Sequence, residues 1–210
     1  MTDTALAQHG SVEHGHGAHE TNTGVSNPKL GMWMFLSSEA LFFGAFISTY
    51  FLYRGRDATF RGGPTPKELF DIPFTSATSF ILLMSSLTMV LALAAIQRGD
   101  HRRLRIWLLA TALFGLTFIG GQVYEFTEFY REGLSLGGNL FGTTFFVLTG
   151  LHGAHVTVGI FWLLSLWSRS MQGRLRTEQA EAIEIAGLYW HFVDVVWIVI
   201  FTAIYLVPQH

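Results

Sequence analysis

The chain has 210 residues, 50% of them hydrophobic and only 13% charged, against about 25% charged in an ordinary soluble domain. Thirteen Lys and Arg against fifteen Asp and Glu leave a net charge of −2, so no basic surface for nucleic acid is implied. The absence of Cys excludes disulfides, thiolate metal sites, iron–sulfur clusters and cysteine nucleophiles.

In chain order, residues 1–28 come first as a small, polar tail with His9, His14, His16 and His19 among Gly, Ser, Thr and Asn. It has almost nothing apolar to bury, so disorder is expected. Without a basic start before an apolar core, it is not a signal peptide. Residues 29–210 follow as a membrane domain in which charges bunch between apolar stretches. Helices are predicted at about 30–53, 73–97, 106–128, 140–167 and 185–207. Each reaches the roughly 20 residues that cross about 30 Å of hydrocarbon. A lipid-exposed backbone must satisfy its own hydrogen bonds, so each is a helix. The fold class is all-α, with five transmembrane helices.

The connectors agree. Arg61-Gly-Gly-Pro-Thr-Pro66 forbids a continuous helix between the first two spans. The short basic segment from Gln97 to Arg105 makes helices two and three a tight hairpin, Gly133, Gly137 and Gly138 punctuate the third loop, and Arg169 to Glu184 forms the fourth. Lys29, Arg98, Arg102, Arg103, Arg105, Arg169, Arg174 and Arg176 fall on one side, and only Arg54, Arg56, Arg61, Lys67 and Arg131 on the other. This bias places the N-terminus in the cytoplasm and the C-terminus in the periplasm.

Few polar groups lie within the spans. Glu39 stands about nine residues into helix one, roughly 13 Å deep. A carboxylate there costs about 2.5–3.5 kcal/mol, so it faces the protein interior, as a proton-exchanging group or as a packing hydrogen bond. His152 and His155 share a face of helix four and could ligate a metal or haem. The surrounding Gly150, Gly153, Ala154 and Gly159 instead suggest close helix packing with polar residues bonding across it. His191 and Asp194, three apart on helix five, are placed for a direct charge-assisted hydrogen bond.

Thr75, Ser76, Thr78, Ser79, Ser85, Ser86 and Thr88 are assigned to helix contacts, and Phe42-Phe43 and Phe145-Phe146 to lipid-facing or core positions. Gln122, Tyr124, Glu125 and Glu128 are assigned to the outer interface. Glu39 and Asp194 then remain the only carboxylates well inside the spans. No acidic metal cluster, phosphate loop or nucleophile–base pair is present. The residues alone therefore lead to assembly, proton handling or lipid binding, and to no reaction.

Three motifs resemble one family. Gly31-Met-Trp-Met-Phe-Leu-Ser-Ser-Glu39-Ala-Leu-Phe-Phe43, Phe146-Val-Leu-Thr-Gly150-Leu-His152-Gly-Ala-His155-Val156 and Tyr189-Trp-His191-Phe-Val-Asp194-Val-Val-Trp197 are similar to the signatures of subunit III of the haem–copper oxidases, in the same order. The short His-rich N-terminus, five-helix length and first loop Gly62 to Phe74 resemble the cytochrome bo-type ubiquinol oxidase branch. The alternative is the aa-type cytochrome c oxidase branch, which Glu39 resembles, since bo-type members often carry Asp there.

The resemblance implies a non-catalytic subunit of a respiratory complex that oxidises ubiquinol, reduces oxygen to water and translocates protons. It implies no cofactor or metal in this chain, haem and copper in the partner subunit I, and structural phospholipid. Subunit I is the implied main contact, with subunits II and IV as further partners, in the bacterial inner membrane. Glu39 takes the place of the family's buried carboxyl, in contact with protons, lipid or a neighbouring subunit. His152, His155, His191 and Asp194 take interhelical bonds. More distant alternatives are a stand-alone membrane metalloenzyme using His152, His155 and His191, and a small proton-coupled transporter built around Glu39.

Overall fold

Amides in hydrocarbon have no water to bond, and the five apolar stretches are helical in the computed structural model. They are α1 (Asn27–Arg54), α2 (Ile72–Gln97), α3 (His101–Arg131), α4 (Leu140–Met171) and α5 (Ala180–Phe201). The structure describes residues 24, 26–54, 72–131, 140–175 and 177–206, with no strand among them. Most of the His-rich tail, the Gly-Pro loop at 61–66 and the glycines of the third loop lie outside the described residues. All five helices are long and apolar enough to cross a membrane.

Several helices overrun their predicted ends because capping, not hydropathy, sets the boundary. α1 begins at Asn27 with Pro28 in its first turn, where a missing N–H removes no helix bond. α2 stops at Gly99, whose φ of 73° is left-handed. Bonds from Gly99 N to Ile96 O and from Asp100 N to Ala95 O complete a Schellman closure. Asp100 then caps α3, its Oδ1 accepting the Arg103 amide at 3.0 Å. Arg102, Arg103 and Arg105 are therefore helical, while Arg98 lies in the turn. Gly173, at φ 68°, closes α4 in the same way, with Gly173 N bonded to Ser170 O and Arg174 N to Arg169 O. The fourth connection is correspondingly short, leading through a 3₁₀ turn at Thr177–Gln179 into α5. A π turn at Thr202–Leu206 ends α5.

Helices α2, α3, α4 and α5 pack as a closed ring, each against its two neighbours, while α1 lies outside it against α4 and α5. Only 11% of the most apolar stretch of α1 is buried, compared with 33–50% for the other four. α1 is thus an outlying helix whose far side is exposed.

Trp190 fills the centre of the ring at 1% exposure. Two glycines make room for it. A Cβ on Gly115 of α3 would stand 2.7 Å from the indole, and one on Gly159 of α4 would stand 2.8 Å from it. The indole N–H donates to Ser85 Oγ of α2 at 2.8 Å. One side chain of α5 therefore touches the three other helices of the ring.

Candidate functional site

The polar side chains form interhelical contacts along two seams. The first joins α1 to the ring. Glu39 Oε2 lies 3.1 Å from His155 Nε2, with both side chains about one-fifth exposed. His155 Nδ1 lies 2.8 Å from the Leu151 carbonyl of its own helix, and a carbonyl can only accept, so Nδ1 carries a hydrogen. Nε2 is left to face Glu39. The edge of Phe43 packs on the His155 ring at 5.0 Å between centroids. Tyr189 of α5 donates to the His155 carbonyl at 2.9 Å. At the helix starts, Lys29 pairs with Glu184 at 2.8 Å, and Ser26 donates to Glu181.

The second seam runs through the ring. His152 is fully buried, and its Nε2 donates to the Val193 carbonyl of α5 at 3.2 Å. Its ring lies against Trp197 and Phe118, with centroids 4.8 Å and 5.7 Å away. The two motif histidines of α4 therefore meet different helices. Three residues of helix turn them about 60° apart, and the first serves α5 while the second serves α1. Among the described residues no three His, Asp or Glu converge on a metal-sized site.

The direct bond expected between His191 and Asp194 is corrected. Ser86 of α2 stands between them, its Oγ 2.9 Å from His191 Nδ1 and donating to Asp194 Oδ2. One hydroxyl bonds both because Ser86 lies where α2 and α5 meet. Asp194 Oδ1 is buried without a hydrogen-bond partner among the described residues. If Ser86 carries the link, a double-mutant cycle on His191 and Asp194 will give a coupling of about 0.6 kcal/mol, at most about 1.7. The coupling will vanish in a Ser86→Ala background. Coupling that survives there would show that the two residues interact without the hydroxyl.

The helix-two hydroxyls assigned to helix contacts include several that bond across the ring. Ser79 accepts from Trp197 at 2.8 Å, and Thr88 bonds Thr111 of α3 at 2.8 Å. Ser76 is exposed. Two residues placed at the outer interface are buried instead, Gln122 and Glu125, each at 7% exposure. Glu125 accepts from Thr75. Gln122 Nε2 donates to the Thr149 carbonyl at 2.6 Å, and Gly153 admits it, since a Cβ there would meet Gln122 Oε1 at 2.6 Å. The available signal was spacing: Gln122 and Glu125 follow Gly115 and Phe118 at helical intervals on the ring-facing side of α3.

The profile of the family described as cytochrome c oxidase subunit III matches residues 7–208. The chain belongs to that family. It is 40% identical over 199 residues to "Quinol oxidase subunit 3" of Bacillus spizizenii, covering 93% of this chain and 96% of the relative. It is 38% identical over 180 residues to "Cytochrome c oxidase subunit 3" of Bacillus sp. strain PS3, covering 86% of each. The "Probable quinol oxidase subunit 3" of Staphylococcus saprophyticus is 38% identical over 191 residues, covering 90% of this chain and 92% of the relative. As a subunit III, the chain is a non-catalytic part of an oxidoreductase complex.

Proposed function

We propose that this chain is subunit III of a quinol oxidase in the bacterial inner membrane. The complex oxidises ubiquinol, reduces oxygen to water and translocates protons. The observation that carries this reading is the likeness to quinol oxidase subunits over almost the whole length of both chains. Haem and copper belong to subunit I in this reading, and subunits II and IV complete the complex. The chain contributes a rigid ring of four helices and an outlying α1 that braces subunit I and sustains proton uptake.

Two features support the bracing role. The outward side of α1 exposes Leu30, Met34, Leu41, Phe42 and Leu52, an apolar surface for a neighbouring subunit or lipid. A groove of about 370 Å³ between α1 and α5 is lined by Trp33, Leu36, Ser37, Ala40, Leu188, His191 and Phe192. Its apolar walls suit the acyl chain of a structural phospholipid. Glu39 and His155, beside that seam, tie α1 to the ring.

Purified complex containing this chain is expected to turn over with ubiquinol and not with reduced cytochrome c. The reverse preference would assign it to the cytochrome c branch. Metal or haem retained by the isolated chain after harsh detergent would overturn the subunit reading altogether. Glu39→Gln is expected to leave haem content unchanged while shortening active life during turnover or lowering proton yield. A Glu39→Gln complex without haem would contradict the bracing role.

A further inference from the structure

The end of the ring that holds the α2–α3 turn and the α4–α5 connection carries seven Lys and Arg among the described residues, Lys29, Arg98, Arg102, Arg103, Arg105, Arg169 and Arg174, against four acids, Asp100, Glu178, Glu181 and Glu184. Asp100 is engaged by Arg103, whose Nε lies 3.1 Å from Oδ2. Glu184 is held by Lys29 at 2.8 Å, and Glu181 by Ser26. Arg98, Arg102, Arg169 and Arg174 remain exposed, and none has an ion pair among the described side chains.

Sequence places these four arginines in two pairs, Arg98 with Arg102 and Arg169 with Arg174, 67 positions apart, and the fold brings the two segments together. Arg105 crosses from α3 to the end of α4, its Nη2 donating to the Ser170 carbonyl at 2.8 Å and its Nε to Ser170 Oγ at 3.3 Å. Arg102 lies one turn before that crossing and Arg169 immediately beside it. A Cβ on Gly99 would stand 4.0 Å from the Thr177 hydroxyl, so the turn bearing Arg98 abuts the connection bearing Arg174. The amide of Arg174 bonds the Arg169 carbonyl at 3.0 Å, which holds those two residues across one turn.

We propose that this rim binds the headgroup of an anionic phospholipid, with a two-phosphate lipid of the cardiolipin type the best match. Guanidinium forks pair with phosphate oxygens in a way that ammonium groups do not. The rim also ends an exposed apolar wall of α3: Ile106, one residue after Arg105, is 54% exposed, and Leu113 and Leu116 further along are 53% and 48% exposed. The charge therefore sits at headgroup depth above apolar surface, where basic residues between helix ends recruit anionic lipids. An acidic protein partner would not need that wall. This site is separate from the α1–α5 groove, and the proposal holds for either electron donor.

The test is native mass spectrometry of the intact oxidase complex, titrated with cardiolipin or with phosphatidylcholine. It compares the unmodified complex with one carrying R98Q, R102Q, R169Q and R174Q together. Loss of at least one retained cardiolipin, with at least tenfold weaker binding and unchanged phosphatidylcholine uptake, is the expected result. Equal cardiolipin retention in both complexes overturns the proposal. Displacement of that cardiolipin by millimolar inorganic phosphate would make the rim a free-anion site and overturns the lipid assignment. Loss of a partner subunit with lipid retention unchanged would mark a protein-docking surface instead. Should the fourfold variant fail to assemble, R102Q and R174Q are measured singly. Each is expected to weaken cardiolipin binding several-fold, and unchanged binding in both overturns the proposal.

Discussion

Trp190→Ala is expected to destabilise the ring by about 3–5 kcal/mol, the range for truncating a buried Trp. The indole is 1% exposed and bonded to Ser85, and its truncation leaves a void bounded by three helices. The cavity cannot be refilled from Gly115 or Gly159, which have no side chains to move. The complementary change, Gly115→Ala, places a methyl 2.7 Å from the ring and is expected to cost about 1–3 kcal/mol by overpacking. The measurement is the temperature at which subunit III dissociates from the purified oxidase on heating in mild detergent. Trp190→Ala should lower it most. A variant that dissociates at the unmodified temperature would show that the indole does not hold the ring together.

Glu39→Lys is the second change with a large expected effect. It replaces one member of the Glu39–His155 contact with a cation facing an imidazole, and a charge at membrane depth costs about 2.5–3.5 kcal/mol. α1 makes its principal contacts only with α4 and α5, so few other interactions hold it. The variant complex is expected to lose most of its subunit III during purification, measured by the ratio of subunit III to subunit I in the isolated oxidase. Exchanging the two residues, Glu39→His with His155→Glu, keeps one acid facing one imidazole and should restore most of that ratio. If Glu39→Lys is retained as well as the unmodified chain, the contact does not anchor α1. If the exchange restores nothing, the individual positions matter more than the pairing.

Much of the fold was legible because hydrocarbon leaves so few options. A stretch such as Pro73 to Gln97, with no charge, must be a helix if it is in the membrane, and it is one. The end residues were less legible. Boundaries drawn from hydropathy missed that Asp100 caps α3 and that Gly99 and Gly173 close their helices by left-handed turns. Those are local hydrogen-bond decisions that composition does not register.

The polar groups show the same division. That Glu39, His152, His155, His191 and Asp194 would seek partners followed from their depth alone. Which partners they found did not. His155 faces Glu39 while His152 faces Val193, and Ser86 stands between His191 and Asp194. Glu125 was assigned to the outer interface because it stands close to the charged end of α3, yet Thr75 and the neighbouring helices bury it. Depth along one helix can be counted along a chain, whereas the direction a side chain faces is fixed by a second helix.

The sequence by itself determined the five spans and their all-helical character, because burying an amide in lipid is too costly for any other spanning structure. It also carried the three motifs that mark the family. Only the tertiary structure decided that four helices close into a ring while α1 stays outside. That outcome depends on where small residues allow close approach, at Gly115, Gly153 and Gly159, and on which large side chain enters the space. Packing of this kind is a property of two surfaces together, so neither helix's sequence states it alone.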